Sequence, residues 1–395
     1  MNVRIVAIAA VVCAAAATLG AAPGRTGLPA PAPSRVLVSG PLLAGSRVVW
    51  LEADGNEMLL ESAVPGRSPR TLLRQKLGNV WLDDLAASHS TIALERQTQV
   101  CPPPTPPRAS SCTEQREVLG AALPGRFGLL AASDDCGGGS ISLSPSTDAS
   151  GALVAIGENV CLSPLDRRRR VVIARPGKPG LTTLCDADQR AVQPHCYGDA
   201  RIAGRFVAWR DGRDAIVVFD RTHRTIADRR LFPFIASFDI QADGKLVVVY
   251  QPQGADQPAS VAWRAPGSPG RDLRLRVRIP DLRYSVVRID GDRILAERAT
   301  PGRSSSTLVL SDLQGRTRAI ARFAAPIRRG GDFDLAGSRL TWASTRVTRT
   351  RVDCPPPGIM RPCVIRATGM TTIWLAAAAG GKLAVVARLP FHDEP

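Results

Sequence analysis

The sequence predicts an all-β protein, built as a β-propeller of seven four-stranded antiparallel blades. Its 395 residues scatter 32 prolines and 35 glycines between short apolar runs, a composition typical of many turns and few long helices. A short strand, a turn and an apolar second strand recur seven times along the chain. A third and a fourth strand, separated by another turn, follow each copy. Four strands in a period of about 40 to 50 residues are the signature of propeller blades.

The repeating unit is clearest in residues 334–389, where a tight turn at Gly337 precedes an apolar strand that contains Trp342. The fifth residue after the turn is apolar in all seven copies and is tryptophan in three of them. A sandwich of two sheets is the structural alternative, but a sandwich is not expected to repeat seven times with one turn position held. Successive turns are 40 to 63 residues apart, at Gly45, Ser88, Gly151, Gly204, Gly244, Gly291 and Gly337.

The second half of each unit repeats as well. Third strands are predicted at residues 58–62, 118–122, 171–174, 216–220, 261–264, 308–311 and 373–376. Several strands, such as residues 246–250, are apolar throughout, which predicts sheets covered on both faces, as blades between neighbours are. We therefore predict a single propeller domain over residues 35–395, with approximate blades at 35–79, 80–135, 136–198, 199–235, 236–283, 284–330 and 331–392.

Two of these units also resemble a known family. Residues 238–250 read FDIQADGKLVVVY, and residues 144–156 read SPSTDASGALVAI. Both are similar to the turn of TolB-like β-propellers, in which Ser-Pro-Asp-Gly-Lys precedes an apolar strand. The other units match only through the pattern of glycine, apolar run and tryptophan. The resemblance implies a fold and leaves function open, because such propellers serve as binding platforms, enzyme scaffolds and gates on peptidases.

The N-terminus predicts export. Residues 1–22 combine one basic residue, Arg4, an apolar run over residues 5–19 and a small-residue cleavage site near Ala22, as secretory signal peptides do. A membrane anchor is the alternative, but this run of about 15 residues is shorter than the roughly 20 that a spanning helix needs. Residues 23–34 are rich in proline and alanine and predict an extended tether. We expect a monomer that is secreted or associated with the cell envelope.

The cysteines predict disulfides. Without Cys13, which lies in the signal peptide, eight remain in close pairs, a pattern typical of an oxidising compartment. A zinc site using Cys185, His195 and Cys196 is the alternative, but adjacent histidine and cysteine ligands are awkward and the cysteine number is already even. The predicted pairs are Cys101 with Cys112, Cys136 with Cys161, Cys185 with Cys196, and Cys354 with Cys363.

The charge argues against nucleic-acid binding. The net charge of +16 comes from 51 basic residues, of which four are lysine and 47 arginine. These arginines are scattered, and aromatic residues make up only 5% of the chain, which suits neither base stacking nor a nucleic-acid recognition module. The composition instead predicts a weak affinity for anionic surfaces that salt screens.

Propeller topology predicts which side of the molecule carries the function. Connections from the second to the third strand, and from the fourth strand to the next blade, lie on one face, here called the loop face. The other connections form the turn face, where only tight turns are predicted. All four predicted disulfides fall on the loop face. Prolines and disulfides reduce the entropy that a loop loses on binding, which favours a binding role there; resistance to proteolysis is the alternative.

A second regularity lies seven residues after each turn. Acids occupy this position in four consecutive blades, and we call Glu52, Glu95, Glu158 and Asp211 the acidic arc. Calcium binding is one hypothesis, because clustered carboxylates suit a hard cation. Pairing with nearby arginines such as Arg96, Arg210 and Arg213 is the simpler one. The remaining candidate binding residues are Arg210, Arg213, Arg298 and Arg346, of which Arg298 takes the arc position in the sixth copy.

The sequence favours a binding protein over an enzyme. It contains no Gly-x-Ser-x-Gly, no His-Glu-x-x-His and no glycine-rich phosphate loop, and its four histidines have no partner evident in the sequence. The main hypothesis is a secreted, non-catalytic platform that binds a protein or an anionic cell-envelope polymer on the loop face. The alternative is a glycan-acting hydrolase or lyase that uses carboxylates of the acidic arc.

Overall fold

The computed structural model describes residues 34–101, 112–134, 142–148, 153–163, 166–188, 196, 199–212, 214–251, 259–277, 287–299, 305–323, 333–353 and 364–392. Within these residues the chain forms 28 strands and no helix, and the strands group into seven four-stranded antiparallel sheets. The predicted seven-bladed propeller is confirmed. The predicted signal peptide and nearly all of the tether lie outside the described residues, so both stay predictions.

The strands follow one another in chain order within every sheet. Blade 1 contains β1 (Arg35–Ala44), β2 (Arg47–Asp54), β3 (Glu57–Ala63) and β4 (Arg70–Lys76). Blade 2 contains β5 (Val80–Ser88), β6 (Thr91–Val100), β7 (Thr113–Ala122) and β8 (Gly128–Asp134). Blade 3 contains β9 (Ser142–Thr147), β10 (Val154–Ser163), β11 (Asp166–Arg175) and β12 (Lys178–Asp188). Blade 4 contains β13 (Ala200–Ala203), β14 (Phe206–Arg210), β15 (Ala215–Asp220) and β16 (Thr225–Leu231).

The other three blades have the same organisation. Blade 5 contains β17 (Ile235–Ile240), β18 (Leu246–Tyr250), β19 (Ala259–Arg264) and β20 (Arg271–Val277). Blade 6 contains β21 (Val287–Asp290), β22 (Arg293–Ala299), β23 (Ser306–Asp312) and β24 (Thr317–Phe323). Blade 7 contains β25 (Phe333–Ala336), β26 (Arg339–Asp353), β27 (Val364–Ala377) and β28 (Ala384–His392).

The recurring turn has the conformation that its glycines predict. Gly45, Gly204, Gly291 and Gly337 adopt φ values between 56° and 60°, in the left-handed region that glycine occupies without steric cost. At Gly45 a side chain is also excluded by space, because a Cβ atom there would lie 2.8 Å from the carbonyl oxygen of His89 in the next blade. The turn therefore sets the period and keeps adjacent blades close together.

The core lies between the blades. The first strands contact one another in order around the ring, from β1 through β5, β9, β13, β17, β21 and β25 back to β1. They therefore line the centre of the propeller. Each of the seven hydrophobic clusters combines side chains from two neighbouring blades, and together the clusters cover all seven junctions. This arrangement explains the fully apolar strands, because both faces of each sheet are covered.

The ring closes without an exchanged strand. Residues 35–39 belong to β1, and all four strands of blade 7 come from its own stretch of chain. Closure rests on a cluster in which Trp50 of blade 1 packs with Leu389 of blade 7. Two polar contacts reinforce it: Leu43 donates its amide hydrogen to Asp334 Oδ2 over 2.9 Å, and Arg339 donates to the carbonyl oxygen of Gly45.

The two faces of the ring differ. On the loop face, the second and third strands run on as long hairpins in blades 2, 3 and 7, and the β26–β27 pair reaches 15 and 14 residues. The corresponding β14 and β15 of blade 4 have five and six residues. On the turn face, the third-to-fourth connections have two to six residues, whereas the second-to-third connections of blades 2 and 7 on the loop face have 12 and 10.

Candidate functional site on the loop face

The acidic arc lies on or just after the second strands, and its glutamates are inside the blades. Glu52 is near the end of β2, but Glu95 and Glu158 are in the middle of β6 and β10, because these strands run on beyond the predicted end. Glu52, Glu95 and Glu158 are 0%, 1% and 1% exposed. The three glutamates lie in three different blades, on β2, β6 and β10, and each is paired with a residue of the adjacent strand. A buried carboxylate needs a counter-charge and hydrogen bonds, and each of the three has an arginine.

Glu52 is held by blade 1 alone. Its Oε1 accepts hydrogen bonds from Arg35, through Nε over 2.8 Å and through Nη2, and its Oε2 accepts from the indole Nε1 of Trp50 over 2.8 Å. Burial raises the pKa of the Glu52 carboxyl, and the bonds from Trp50 and Arg35 oppose that increase. The carboxylate therefore fixes the start of β1 against β2.

Glu95 connects two blades. Its Oε1 accepts from Arg116 Nη1 over 3.0 Å and from the backbone amide of Leu143, in β9 of blade 3, over 3.2 Å. Its Oε2 accepts from Gln97 over 3.1 Å. Burial raises the pKa of Glu95, while the charge of Arg116 opposes the change. Arg116 also pairs with Glu114 over 2.6 Å, so this buried cation has two carboxylates.

The other two acids of the arc also have arginine partners. Glu158 forms an ion pair of 2.8 Å with Arg170 Nη2 in β11, and burial raises the pKa of Glu158. Asp211, just after β14, accepts from Arg229 Nε over 2.7 Å. Across the described residues, no group of three or more histidine, cysteine, aspartate or glutamate side chains is arranged to hold a metal ion.

The acids of the arc do pair with arginines, but Arg96 and Arg210, which were named from the sequence, contact other carboxylates. Arg96 pairs with Glu117 over 2.6 Å, on the neighbouring strand. Arg210 pairs with Asp199 over 3.0 Å and donates to the carbonyl oxygens of Ile235 and Ala236 in blade 5. The true partners of the glutamates come from adjacent strands because cross-strand neighbours are closer than sequence neighbours in a sheet. Arg213 lies outside the described residues.

The two remaining candidate residues are on the surface. Arg298 lies near the end of β22 in blade 6 and is exposed. Arg346 lies in the part of β26 that extends beyond the rest of blade 7, and it is exposed too. The structure therefore separates the seven described candidates into buried or half-buried groups in blades 1 to 4 and exposed arginines in blades 6 and 7.

Sequence reasoning missed a set of polar contacts at the centre of the ring. First strands are sheet edges, so part of their amide hydrogens have no strand partner. Side chains of the preceding blade supply acceptors: Asp239 Oδ2 accepts from Ile289 over 3.0 Å, and Ser146 Oγ accepts from Ile202 over 3.3 Å. Asp334 does the same for Leu43. The signal in the sequence is a polar residue within an otherwise apolar first strand.

Arginines take the same position in two blades. In blades 4, 6 and 7, one residue of the first strand pairs with the residue four positions after the turn glycine. That first-strand residue is Arg201 in blade 4, Arg288 in blade 6 and Asp334 in blade 7. Arg288 Nε donates to Asp334 Oδ1 over 3.1 Å, which connects blade 6 to blade 7. Burial, reinforced by the nearby charge of Arg288, lowers the pKa of Arg201, and burial raises the pKa of Asp239. Charges of alternating sign thus line the centre of blades 4 to 7.

Two of the four predicted disulfides are confirmed. Cys101 bonds to Cys112 across the β6–β7 connection, with their Cα atoms 4.1 Å apart. Cys185 of β12 bonds to Cys196 before blade 4, with a Cα separation of 6.1 Å. Both bridges lie on the loop face, and the second leaves no free thiolate for the zinc alternative. The other two pairs, Cys136 with Cys161 and Cys354 with Cys363, involve cysteines whose side chains lie outside the described part of the structure.

The sheets and their junctions define the class: a seven-bladed β-propeller with an elaborated loop face. In the described residues no helix has the length and hydropathy needed to cross a membrane. No family model matches the chain, and no curated protein matches it.

Solved structures resemble the chain in fold at low identity. An uncharacterized protein of Listeria monocytogenes EGD-e is 14% identical over 78% of this chain and 88% of its own, with a TM-score of 0.46. Sqt1 of Saccharomyces cerevisiae is 10% identical over 90% of this chain and 97% of its own, with a TM-score of 0.45. Apo AztD from Citrobacter koseri is 10% identical over 73% of this chain and 86% of its own, with a TM-score of 0.37. Similarity at this level carries no argument about function.

Proposed function

We propose that this protein is a secreted, non-catalytic binding platform whose loop face binds a protein or an anionic polymer of the cell envelope. The observation that carries the proposal is the asymmetry of the two faces. Both described disulfides and the long hairpins of blades 2, 3 and 7 lie on the loop face, whereas no third-to-fourth connection on the turn face has more than six residues. Insertions in a repeat protein commonly map to its binding face.

The chemistry of the acidic arc supports binding over catalysis. A glycosidase needs two carboxyl groups roughly 5 to 10 Å apart that reach the substrate. Glu52, Glu95 and Glu158 are buried in separate blades, and each is in an ion pair with an arginine of its own blade. No observation favours the alternative of a glycan-acting hydrolase or lyase.

Shortening the loops tests the face assignment. In one variant, residues 102–111 and 355–362 are replaced by Gly-Ser-Gly while all cysteines stay in place. The matched control inserts Gly-Ser-Gly after Arg67, in an exposed turn of the turn face. Immobilised proteins are then compared for the material that they retain from envelope extracts. We expect the loop variant to lose the material that wild type and control both retain. Equal retention by the loop variant would show that this face is not the binding face.

A further inference from the structure

The hairpin of blade 7 carries an unusual concentration of positive charge. Its β26 strand reads Thr-Arg-Val-Thr-Arg-Thr-Arg over residues 345–351, and all seven residues are exposed. Residues 339–353 and 364–392 together contain six arginines and one lysine against a single acid, Asp353 at the end of β26. Other arginines of the loop face are paired with acids, such as Arg170 in the hairpin of blade 3, which pairs with Glu158 over 2.8 Å.

A β-bulge places the arginines of β26 on one face. In regular alternation, Arg346 would lie on the opposite face from Arg349 and Arg351. The register shifts between Val347 and Arg349, so Arg346 pairs with Met370, Arg349 with Thr368 and Arg351 with Arg366. These three partners are alternate residues of β27 and share one face of that strand. The arginines opposite them therefore share the same face, as a bulge permits.

The neighbouring strand extends this row. Arg388 of β28 is exposed and pairs with Thr372, which pairs with Ser344, two residues before Arg346. Arg388 thus lies on the same face as the arginines of β26. Among the described residues, no carboxylate lies within ion-pairing distance of Arg346, Arg349 or Arg388. We call Arg346, Arg349, Arg351 and Arg388 the arginine face.

The spacing of the arginine face fits a linear chain of negative charges. Alternate residues of a strand lie about 7 Å apart, and strands two positions apart in a sheet are about 10 Å apart. A guanidinium presents paired N–H groups that match the oxygens of a phosphate, and it keeps its charge at every physiological pH. A polymer with a phosphate in each repeating unit can therefore contact several of these arginines at once.

The same face offers little aromatic surface to nucleic-acid bases, because Trp374, which lies on it, is half-buried, stacks on Trp342 and donates to Ser344 Oγ over 2.8 Å. Its uncharged members include Ser344, Thr368, Met370 and Pro390. Phe391 pairs with Gly369, and so it lies on the opposite face of the sheet. Proteins that bind single-stranded nucleic acid stack bases on exposed aromatic rings, whereas Trp374 already packs on Trp342.

We propose that the arginine face binds a phosphodiester polymer without bases, of the poly(glycerol phosphate) kind. The inference rests on the proposed function, because it names the partner of one part of the loop face. The arginines supply counter-charges to consecutive phosphates, and the length of the hairpin holds them clear of the rest of blade 7.

Binding of fluorescein-labelled poly(glycerol phosphate), measured by anisotropy over a series of salt concentrations, tests the proposal. The triple variant Arg346→Gln, Arg349→Gln, Arg388→Gln should bind about tenfold more weakly, since exposed ion pairs each contribute little and add up. In a plot of log affinity against log salt concentration, the slope for this variant should be less negative by about 2, because each of the three lost phosphate contacts contributes roughly 0.7 to the slope.

Two further variants make the test specific. The first, Arg67→Gln, Arg126→Gln, Arg175→Gln, removes the same charge from exposed positions where third strands turn into fourth strands, and it should keep most of the affinity. The second exchanges Arg349 and Thr350 at constant composition. Position 350 pairs with Ala367, so the guanidinium moves to the other face, and affinity should fall about threefold.

Three outcomes would overturn the proposal: equal weakening by both triple variants, an exchange variant with wild-type affinity, or tighter binding of oligo-dT than of poly(glycerol phosphate) by the same arginines. None of these outcomes depends on the loop-shortening experiment. If loop shortening abolished envelope capture but the arginine triple variant bound as tightly as wild type, the loop face would remain the binding face. Only the phosphodiester polymer would then be rejected as its partner.

Discussion

Replacing Asp334 by alanine should destabilise the protein chiefly where the ring closes. The Asp334 carboxylate contacts three blades, because it sits in blade 7, accepts from Arg288 of blade 6 over 3.1 Å and accepts from the Leu43 amide of blade 1 over 2.9 Å. Its side chain is 10% exposed and that of Arg288 is 18% exposed, so solvent screens the pair only in part. No shared strand stands in for these bonds at the junction of blades 7 and 1.

The magnitude follows from what the substitution leaves behind. Each lost hydrogen bond costs about 1 kcal/mol net, and a buried amide without an acceptor costs about 1 to 3 kcal/mol. Arg288 also loses its counter-charge in a largely buried position, which is the costly way to break an ion pair. Together these terms give about 3 to 5 kcal/mol for Asp334→Ala. Asp334→Asn keeps a neutral acceptor for Leu43 and should cost about half as much.

Urea denaturation, followed by tryptophan fluorescence, measures the change in unfolding free energy, and hydrogen exchange at the Leu43 amide reports on closure. Asp239→Ala is the matched control, because Asp239 accepts from the Ile289 amide at an internal junction. The control should lose stability but leave the Leu43 amide protected. The reasoning is refuted if Asp334→Ala unfolds within about 1 kcal/mol of wild type with the Leu43 amide still protected.

Three other predictions follow from the buried groups. Trp342→Ala should cost about 3 to 5 kcal/mol in urea denaturation, because the indole is 2% exposed between blades 6 and 7, and a wild-type midpoint would contradict this. Burial raises the pKa of the three glutamates of the acidic arc above 4.5, so the native state retains protons that the unfolded chain has released, and unfolding free energy falls as pH rises through the raised pKa values. Calorimetry should therefore show a melting temperature that falls as pH rises above about 4.5, and Glu158→Gln should reduce that fall; no change with pH would refute the assignment. Chelation should leave the melting temperature unchanged, because each arc glutamate already has an arginine; a decrease would indicate a bound calcium ion.

The fold could be predicted because its determinants are local and periodic. The recurring turn needs a residue in the left-handed backbone conformation, and the glycines at positions such as Gly45 and Gly337 indicate this turn in the sequence. The position of Trp342 between blades followed from the same period, since the second strand of each blade is covered on both faces. Seven repeats of one local pattern left little freedom for another architecture.

The site was harder to predict because its contacts join strands that are far apart in the chain. Arg116 lies 21 residues from Glu95 in the chain but diagonally across from it on the adjacent strand, whereas Arg96 is next to Glu95 in sequence and pairs with Glu117. The common face of Arg346 and Arg349 depends on a bulge, and a bulge reverses the parity that sequence alternation would give. Neither feature can be obtained from spacing alone.

The closure described above also bears on how such a protein can be rearranged. Every blade is one contiguous stretch of chain, so cutting between any two blades and joining residues 35 and 392 through a linker would leave all seven sheets with their own strands. Circular permutants opened at each junction should therefore fold, and their relative stabilities would rank the seven junctions. In propellers whose two chain ends share one sheet, a permutant opened elsewhere changes which stretch of chain supplies that sheet. In this protein every sheet keeps its own four consecutive strands wherever the chain is opened.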